Sequence, residues 1–253
     1  MPTTFRSASI LALALCAAFE AGAATAQTSS QTSSQATAGP YAAVIASPLR
    51  NGDDRKDDDR RKPAEFLAFA QVKPGMKAFD MVSAGGSTAT LLTAAVGPKG
   101  EVWAQNTKPN AKLSERLADN TVSNLHAAVS SFDDPIPKGT PPLDLITINM
   151  NYHDIVNTPT DRAAMDKHLF DALKPGGHLV IVDNAAKKGS GLSATKTLHR
   201  IDEDSVVQEV TRAGFKVDAK SDYLRAPSDP RDQPFFKMNG APDDKFAIRF
   251  VKP

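Results

Sequence analysis

The sequence predicts an α/β fold built on a doubly wound, mostly parallel sheet of seven strands. Residues 173–183 are typical of a helix end, a Pro-Gly-Gly turn and a buried strand. The run 179–182 is apolar and rich in β-branched residues, as expected for a strand covered on both faces. Strand-like and helix-like segments then alternate along the chain, and 253 residues of 41% hydrophobic composition are enough to bury one core.

The first 26 residues have the pattern of a secretory signal. A weakly positive start is followed by a short apolar stretch and by a small-x-small site, which predicts cleavage before Gln27. Two alternatives are a lipoprotein anchored at Cys16, which Leu15 disfavours, and an uncleaved anchor, which Glu20 disfavours. Cleavage predicts a periplasmic or secreted protein with no stable membrane anchor.

Composition after this signal excludes several classes of function. Cys16 is the only cysteine, so the mature chain would have no disulfide, catalytic thiol or thiolate zinc site. The net charge of +1 gives no reason to expect nucleic acid or an anionic membrane as a partner. Residues 27–39 are of low complexity and predict a disordered linker.

The remaining chain, 40–253, is expected to form one domain with an N-terminal helical extension. Residues 51–62 carry a dense mixed charge, with aspartates four residues before Arg61 and Lys62, which favours a solvated helix. That helix is expected to continue through 64–69, whose apolar side chains dock on the domain.

Seven strands and four helices are expected after this extension. Apolar runs predict the strands at 77–82, 101–105, 125–130, 143–150, 177–184, 215–221 and 246–251. Helical spacing predicts the helices at 87–96, at 111–120, from Thr160 through Ala172 and from Asp202 to Gly214. Thr160 and Asp202 are the expected N-caps of the last two.

Polar residues cluster after the fourth and fifth strands, at the sheet edge where ligands bind in this architecture. Tyr152, His153 and Asp154 form one candidate group: His153 as general base, with Asp154 fixing its tautomer or merely capping a polar loop. His199 and Arg200 form another, able to close over a pocket and bind an anionic group. The pair at 183–184 adds polar groups at the same edge.

The Leu-Lys-Pro-Gly-Gly turn resembles that of class I, Rossmann-like methyltransferases that depend on S-adenosyl-L-methionine (SAM). Together with Asn-Tyr-His-Asp, Gly-Ser-Gly, Leu-His-Arg-Ile-Asp and the closing Arg-Phe-Val-Lys-Pro, it is similar to a bacterial group of exported, predicted methyltransferases. The resemblance covers most of residues 60–253. It implies that the last two strands are antiparallel.

The resemblance also implies a cofactor loop after the first strand. The class carries an acid there, followed by Gly-x-Gly-x-Gly; this chain keeps the acid as Asp80 and the third glycine as Gly86, and adds Gly85. Val82 and Ala84 replace the first two glycines, and their side chains resist the positive φ that glycine allows. The alternative is an ordinary strand-to-helix turn.

The resemblance implies three further contacts with the cofactor, from residues that stand at or after the ends of strands. Asn106 stands where the class places an acid on the ribose hydroxyls, and Asn149 ends the fourth strand. Asp133 stands where an acid commonly meets the adenine amino group, or belongs to an ordinary turn before Pro135.

The resulting expectation is a SAM-dependent methyltransferase acting on an unidentified small molecule, with SAM doubtful because the glycine motif is altered. The alternative is an exported, non-catalytic protein of the same fold that binds another ligand or a protein partner. The five histidines show no metal-ligand spacing, so no metal is expected. Neither a Gly-x-Ser-x-Gly elbow nor a Gly-x-Gly-x-x-Gly dinucleotide fingerprint is present.

Overall fold

The computed structural model describes residues 39–119 and 122–253, which lie in one compact unit. The predicted signal at 1–26 and all but the last residue of the predicted linker at 27–39 fall outside the described residues. None of the helices in the described part of the chain is long and apolar enough to cross a membrane.

The predicted doubly wound sheet of seven strands is confirmed. The strands lie side by side in the order β3-β2-β1-β4-β5-β7-β6. All neighbouring pairs among β1 to β5 are parallel, whereas β7 runs antiparallel to both β5 and β6. Their bounds are Lys77–Met81, Glu101–Asn106, Leu125–Val129, Leu143–Asn149, Leu173–Asn184, Lys216–Ser221 and Lys245–Val251 for β1 to β7.

Two apolar layers cover the central strands, one on each face of the sheet. Successive side chains of a strand point to opposite faces. In β4, Ile146 and Ile148 therefore join the layer that contains Phe79, while Leu145 joins the opposite layer with Ala78. Thr147 follows on the side of Leu145 and is fully buried, which places a hydroxyl inside the molecule close to the sheet edge.

Ten α-helices accompany the sheet in the described residues. Their bounds are Ala42–Ile45, Gly52–Lys56, Asp58–Arg61, Pro63–Phe69, Ser87–Val96, Ala111–Asp119, Tyr152–Val156, Arg162–Ala172, Thr195–Leu198 and Glu203–Arg212 for α1 to α10. Asp202 caps α10 as predicted, because its side chain accepts from the backbone N–H of Asp204. The predicted cap of α8 is wrong: Asp161 rather than Thr160 accepts from the first-turn N–H groups.

The N-terminal extension differs from the single solvated helix expected. Three short helices, α2 to α4, replace it, because Lys62 adopts the left-handed conformation and Pro63 begins α4. A residue before proline is sterically disfavoured in the α region, which ends α3 at this point. The extension is also partly buried rather than solvated, since Arg50 and Asp54 lie inside the molecule.

The Pro-Gly-Gly turn is present, but β5 begins before it. Leu173 already pairs with Leu143, the register then shifts, and the ladder resumes at His178. Gly176 has φ +77°, and a Cβ at Gly177 would lie 2.9 Å from the carbonyl oxygen of Lys174. Glycine is therefore required where the turn folds back against the sheet.

Candidate functional site

A cleft opens at the carboxyl edge of the sheet, between the loops that follow β1 and β4. These strands are neighbours, yet the chain leaves β1 toward β2 on one side and β4 toward β5 on the other. Such a switch point holds the two loops apart and is the usual ligand site of doubly wound sheets. The cleft has a volume of about 420 Å³.

The loop after β1 keeps left-handed backbone at alternate positions. Val82, Ala84 and Gly86 have φ values of +57°, +49° and +85°. The backbone at Val82 and Ala84 therefore adopts a conformation that glycine accepts readily and that these two side chains oppose. Left-handed backbone in a β-branched residue is a genuine outlier and costs on the order of 1–3 kcal/mol.

Two side chains at the end of β2 hold this loop in place. The side-chain oxygen of Gln105 accepts from the N–H of Val82 at 3.1 Å. Asn106 accepts from the N–H of Ala84 at 2.9 Å and donates to its carbonyl at 3.1 Å. The neighbouring strand therefore matches the N–H of Val82 and both backbone polar groups of Ala84, which offsets part of the conformational cost.

Asp80 lies buried at the base of the loop. Its carboxylate accepts from the Ser83 hydroxyl at 2.6 Å and from the Thr147 hydroxyl at 2.8 Å, and thereby ties the β1 loop to β4. Burial raises the pKa of Asp80 to about 6, and these two hydrogen bonds offset only part of that effect.

His153 is held firmly by Asp183 on the opposite wall. Its Nδ1 lies 2.6 Å from one carboxylate oxygen of Asp183, and its backbone N–H donates to the other at 2.8 Å. Because a carboxylate can only accept, Nδ1 carries the proton and Nε2 is the ring atom left for other partners. Asp183 is buried at the end of β5, so the ring orientation is fixed by the sheet itself.

Asp154 and His199 complete this wall. One carboxylate oxygen of Asp154 lies 3.3 Å from Nε2 of His153 and 3.3 Å from Nδ1 of His199. Burial acts to lower the pKa of His153, but the interactions with Asp154 and Asp183 outweigh it and raise the pKa to about 9. The interaction with His153 in turn lowers the pKa of Asp154.

Strained backbone is concentrated around the cleft. Eight residues other than glycine have positive φ among the described residues, and four of them line the cleft: Val82, Ala84, Met150 and His199. Non-glycine residues in this region persist only where the surrounding structure enforces them, and they cluster at ligand sites. His199 ends α9 in this conformation.

Charged side chains from the N-terminal helices form the outer wall. Asp54 and Arg116 make two hydrogen bonds of 2.7 Å that join α2 to α6. Arg61 and Lys112 also line the cleft, and the charge of Arg61 acts on buried Asp80. Arg61 also lies 3.4 Å from Asp57, and Asp53, Asp54 and Asp57 line the cleft as well, so this wall carries both cations and carboxylates close to the β1 loop.

The structure gathers most of the predicted site residues in this cleft. Those that line it are Asp80, Gly85, Asn149, His153, Asp154 and His199. Gly86 lies just behind the lining as the N-cap of α5, where a Cβ would approach Leu113 to 2.8 Å. Asn106 is next to the cleft, with its amide engaged by Ala84.

Three predicted residues lie elsewhere. Tyr152 is fully buried and donates to Glu209 at 2.9 Å, away from the cleft. Arg200 is also buried, donates to the carbonyl of Ala185 and pairs with Asp229, so it binds no anion in the cleft. Asp133 is exposed and accepts from the N–H of Asp161. Tyr152 and His153 are neighbours at the start of α7, where successive side chains point about 100° apart, so His153 faces the cleft while Tyr152 is buried behind it.

Sequence reasoning missed the roles of Asp183, Arg61 and Asn184. Asp183 and Asn184 had a visible signal, the polar end of an apolar strand, but nothing in the sequence pairs Asp183 with His153. Arg61 sits in a charge run that favours solvent, and only the break at Lys62 turns this segment toward the cleft.

No family model matches the chain, and no curated protein matches it. Several solved structures match the chain. One is a SAM-dependent methyltransferase from Aquifex aeolicus, 19% identical, with a TM-score of 0.59 over 79% of this chain and 95% of that one. Another is the N-methyltransferase NodS from Bradyrhizobium japonicum WM9, 15% identical, with a TM-score of 0.55 over 79% of this chain and 99% of that one.

A third similar structure is fibrillarin from Aeropyrum pernix, solved with natively bound SAM. It is 16% identical, with a TM-score of 0.50 over 74% of each chain. With the sheet order described above, these likenesses give the chain the class I, Rossmann-like methyltransferase fold.

Proposed function

We propose that the cleft binds SAM and that the protein transfers the methyl group of SAM to a small molecule. The observation that carries the proposal is the β1 loop, which keeps left-handed backbone at Val82, Ala84 and Gly86 at an energetic cost. A cost of this kind is retained where a ligand needs the backbone in that shape. The structural neighbours support the same function, since those named above include SAM-dependent enzymes.

The residues of the cleft fit the methionine end of SAM. The loop reaches the N-terminus of α5, a ten-residue helix whose first N–H groups have no partner within the helix. Arg61 and Lys112 stand on the same side of the cleft. Together these groups suit the carboxylate of the methionine moiety, and Asn149 and Asp80 border the same space.

The cleft offers fewer suitable side chains for the nucleoside end of SAM. Asn106 already uses its amide on Ala84, and Asp133 holds the backbone of Asp161. A ribose acid would add charge-assisted hydrogen bonds worth about 1.5–3 kcal/mol each. We therefore expect SAM to bind more weakly here than it would at a site with that acid.

The chain's own part in catalysis would be positioning. SAM supplies an electrophilic methyl group when bound. Asp183 fixes the ring of His153, so that Nε2 faces the space shared with Asp154 and His199. A nucleophile held there approaches from the wall opposite the β1 loop, and orientation of this kind is the largest contribution that a fixed cleft makes to such a transfer.

Calorimetric titration of the purified protein with SAM and with S-adenosylhomocysteine tests the proposal. We expect binding with a dissociation constant of about 10–100 μM, given the missing ribose acid. Arg61→Gln should weaken it about tenfold because the carboxylate loses a cation. Lys99→Gln makes the same charge change at the far end of α5, outside the cleft, and should leave affinity unchanged.

No heat at millimolar ligand would reject the proposal and favour the second candidate, a non-catalytic protein of this fold that binds another ligand or a protein partner. The engaged amide of Asn106 is the observation that favours this candidate, because a ligand without a nucleoside does not need that position.

We further propose that a bacterial cell exports the chain as a periplasmic or secreted protein. The sequence pattern of residues 1–26 supports this. Intact mass spectrometry of protein recovered outside the cytoplasm should give a chain beginning at Gln27, and a chain that retains residues 1–26 would contradict cleavage.

A further inference from the structure

Three side chains on one wall of the cleft converge as metal ligands do. His153, Asp154 and His199 each offer one nitrogen or oxygen atom, and these atoms all lie within 4.8 Å of one another. The histidines are 46 positions apart in the sequence, so ligand spacing along the chain gave no sign of them. Helix α7, which carries His153, and the end of α9, which His199 caps, bring them together.

The separations fit ligands around one ion better than they fit hydrogen bonds. With metal–ligand bonds of about 2.1 Å, neighbouring ligand atoms lie about 3.0 Å apart at 90° and about 3.4 Å apart at the tetrahedral angle. The oxygen of Asp154 lies 3.3 Å from each histidine nitrogen. Charge-assisted hydrogen bonds between such groups are shorter, about 2.7–2.9 Å, as the 2.6 Å contact of His153 with Asp183 illustrates.

The surroundings are also those of a metal centre. Asp183 accepts from Nδ1 of His153, so Nε2 is the atom that coordinates once the metal displaces its proton, and such a carboxylate is the usual outer partner of a ligating histidine. Asn184, which is buried and lines the same cleft, has a side-chain oxygen with no hydrogen-bond partner among the described residues. The amide nitrogen of Asn184 donates to the carbonyl of His199 at 3.0 Å, which places this orphaned acceptor close to the histidine wall, and such an acceptor points to a cationic occupant.

We propose that His153, Asp154 and His199 bind a divalent first-row transition metal ion, such as Zn²⁺ or Co²⁺. Two imidazoles and one carboxylate suit this class of ion, whereas Mg²⁺ and Ca²⁺ prefer all-oxygen sites. Asp154 and His199 are both partly exposed to the cleft, so the remaining positions of the ion are open to an anionic oxygen of a ligand. The site does not depend on SAM.

Calorimetry of the tag-free, chelator-treated protein with Zn²⁺ and with Co²⁺ tests the proposal. One ion per chain should bind with a dissociation constant of about 10 μM or tighter, and Co²⁺ should show visible absorption of a nitrogen-containing site. His199→Ala and Asp154→Asn should each weaken binding at least tenfold. Both side chains are partly exposed, and circular dichroism checks that each variant folds.

His126→Ala is the matched control, since His126 lies 3.6 Å from a carboxylate oxygen of Glu101 on the surface. Its removal should leave the bound ion in place. Two results would overturn the proposal: no binding at 1 mM metal, or binding that survives both His199→Ala and Asp154→Asn.

Discussion

At the scale of single residues, the β1 loop is the feature that sequence reasoning judged least well. Intrinsic preferences disfavour left-handed valine and alanine, so the sequence predicted that Val82 and Ala84 would resist the positive φ of a glycine loop. The structure instead matches their backbone groups from Gln105 and Asn106. The contacts that enforce the conformation come from another strand, and no local pattern encodes them.

Ala84→Gly measures the strain directly. Ala84 is exposed and has φ +49°, so glycine should relieve the left-handed cost while losing almost no packing. We expect the free energy of unfolding to stay equal or to rise by up to about 1 kcal/mol. Ala68→Gly, at an exposed position inside α4, should instead lower it by about 0.5–1 kcal/mol in the same denaturant titration. Equal losses at both sites would show that Ala84 is unstrained.

Asp166→Asn tests a second buried group, on the far side of Tyr152 from the cleft. Burial raises the pKa of Asp166 to about 7 from 3.8, and one of its oxygens has no partner among the described residues. The folded protein therefore holds this proton more tightly than the unfolded chain between about pH 4 and pH 7, and stability falls as pH rises through that window.

The amide of asparagine does not titrate, so Asp166→Asn removes this dependence of stability on pH. Relative to the wild type, Asp166→Asn should gain stability from pH 5 to pH 7 by up to about 1.4 kcal/mol per pH unit, measured by urea unfolding. Asp171→Asn, an exposed change on the same helix, should leave the pH profile as it is. A constant difference between Asp166→Asn and wild type across this range would contradict the raised pKa.

At the scale of elements, the strands and the long helices could be predicted from the sequence. The structure of the N-terminal extension could not. Buried strands are continuous apolar runs, and their bounds were predicted within a few residues. Charge runs are normally solvated, so 51–62 predicted an exposed helix. The structure buries Asp54 against Arg116 across a separation of 62 residues, a pairing that local charge spacing cannot reveal.

Asp54→Ala tests what this pair does for the extension. Its carboxylate is 2% exposed, and removal leaves the mostly buried charge of Arg116 without this carboxylate, with the Thr90 hydroxyl 3.3 Å away as a remaining partner. We expect a loss of about 3 kcal/mol and faster amide hydrogen exchange in α2 and α3. Asp53→Ala, whose side chain is 79% exposed beside Lys56, should change stability by less than about 1 kcal/mol. Similar effects of the two substitutions would mean that the pair does not anchor the extension.

At the scale of the whole molecule, the sheet order determines where function resides. The alternation of strands and helices predicted the doubly wound architecture, and the architecture predicts a ligand cleft at the carboxyl ends of β1 and β4. That reasoning correctly placed His153, Asp154 and His199 at the carboxyl edge of the sheet. It also placed Arg200 and Tyr152 there, because an edge defines a region and not the direction of a side chain.

The sheet order also explains why the two walls of the cleft differ in their chemistry. One wall carries left-handed backbone at three positions of the β1 loop, and the other carries a histidine and carboxylate cluster fixed by Asp183. The two walls face each other because β1 and β4 are neighbours. A methyl donor on the first wall and an anionic acceptor on the second would meet within the cleft.

The most direct test of this account is a crystal structure of the protein grown with S-adenosylhomocysteine. The account predicts that the homocysteine carboxylate lies at Gly85 and the start of α5, within reach of Arg61, with φ at Val82 and Ala84 still positive. Clear density for the protein without the ligand in this cleft, or with the ligand bound elsewhere, would contradict it.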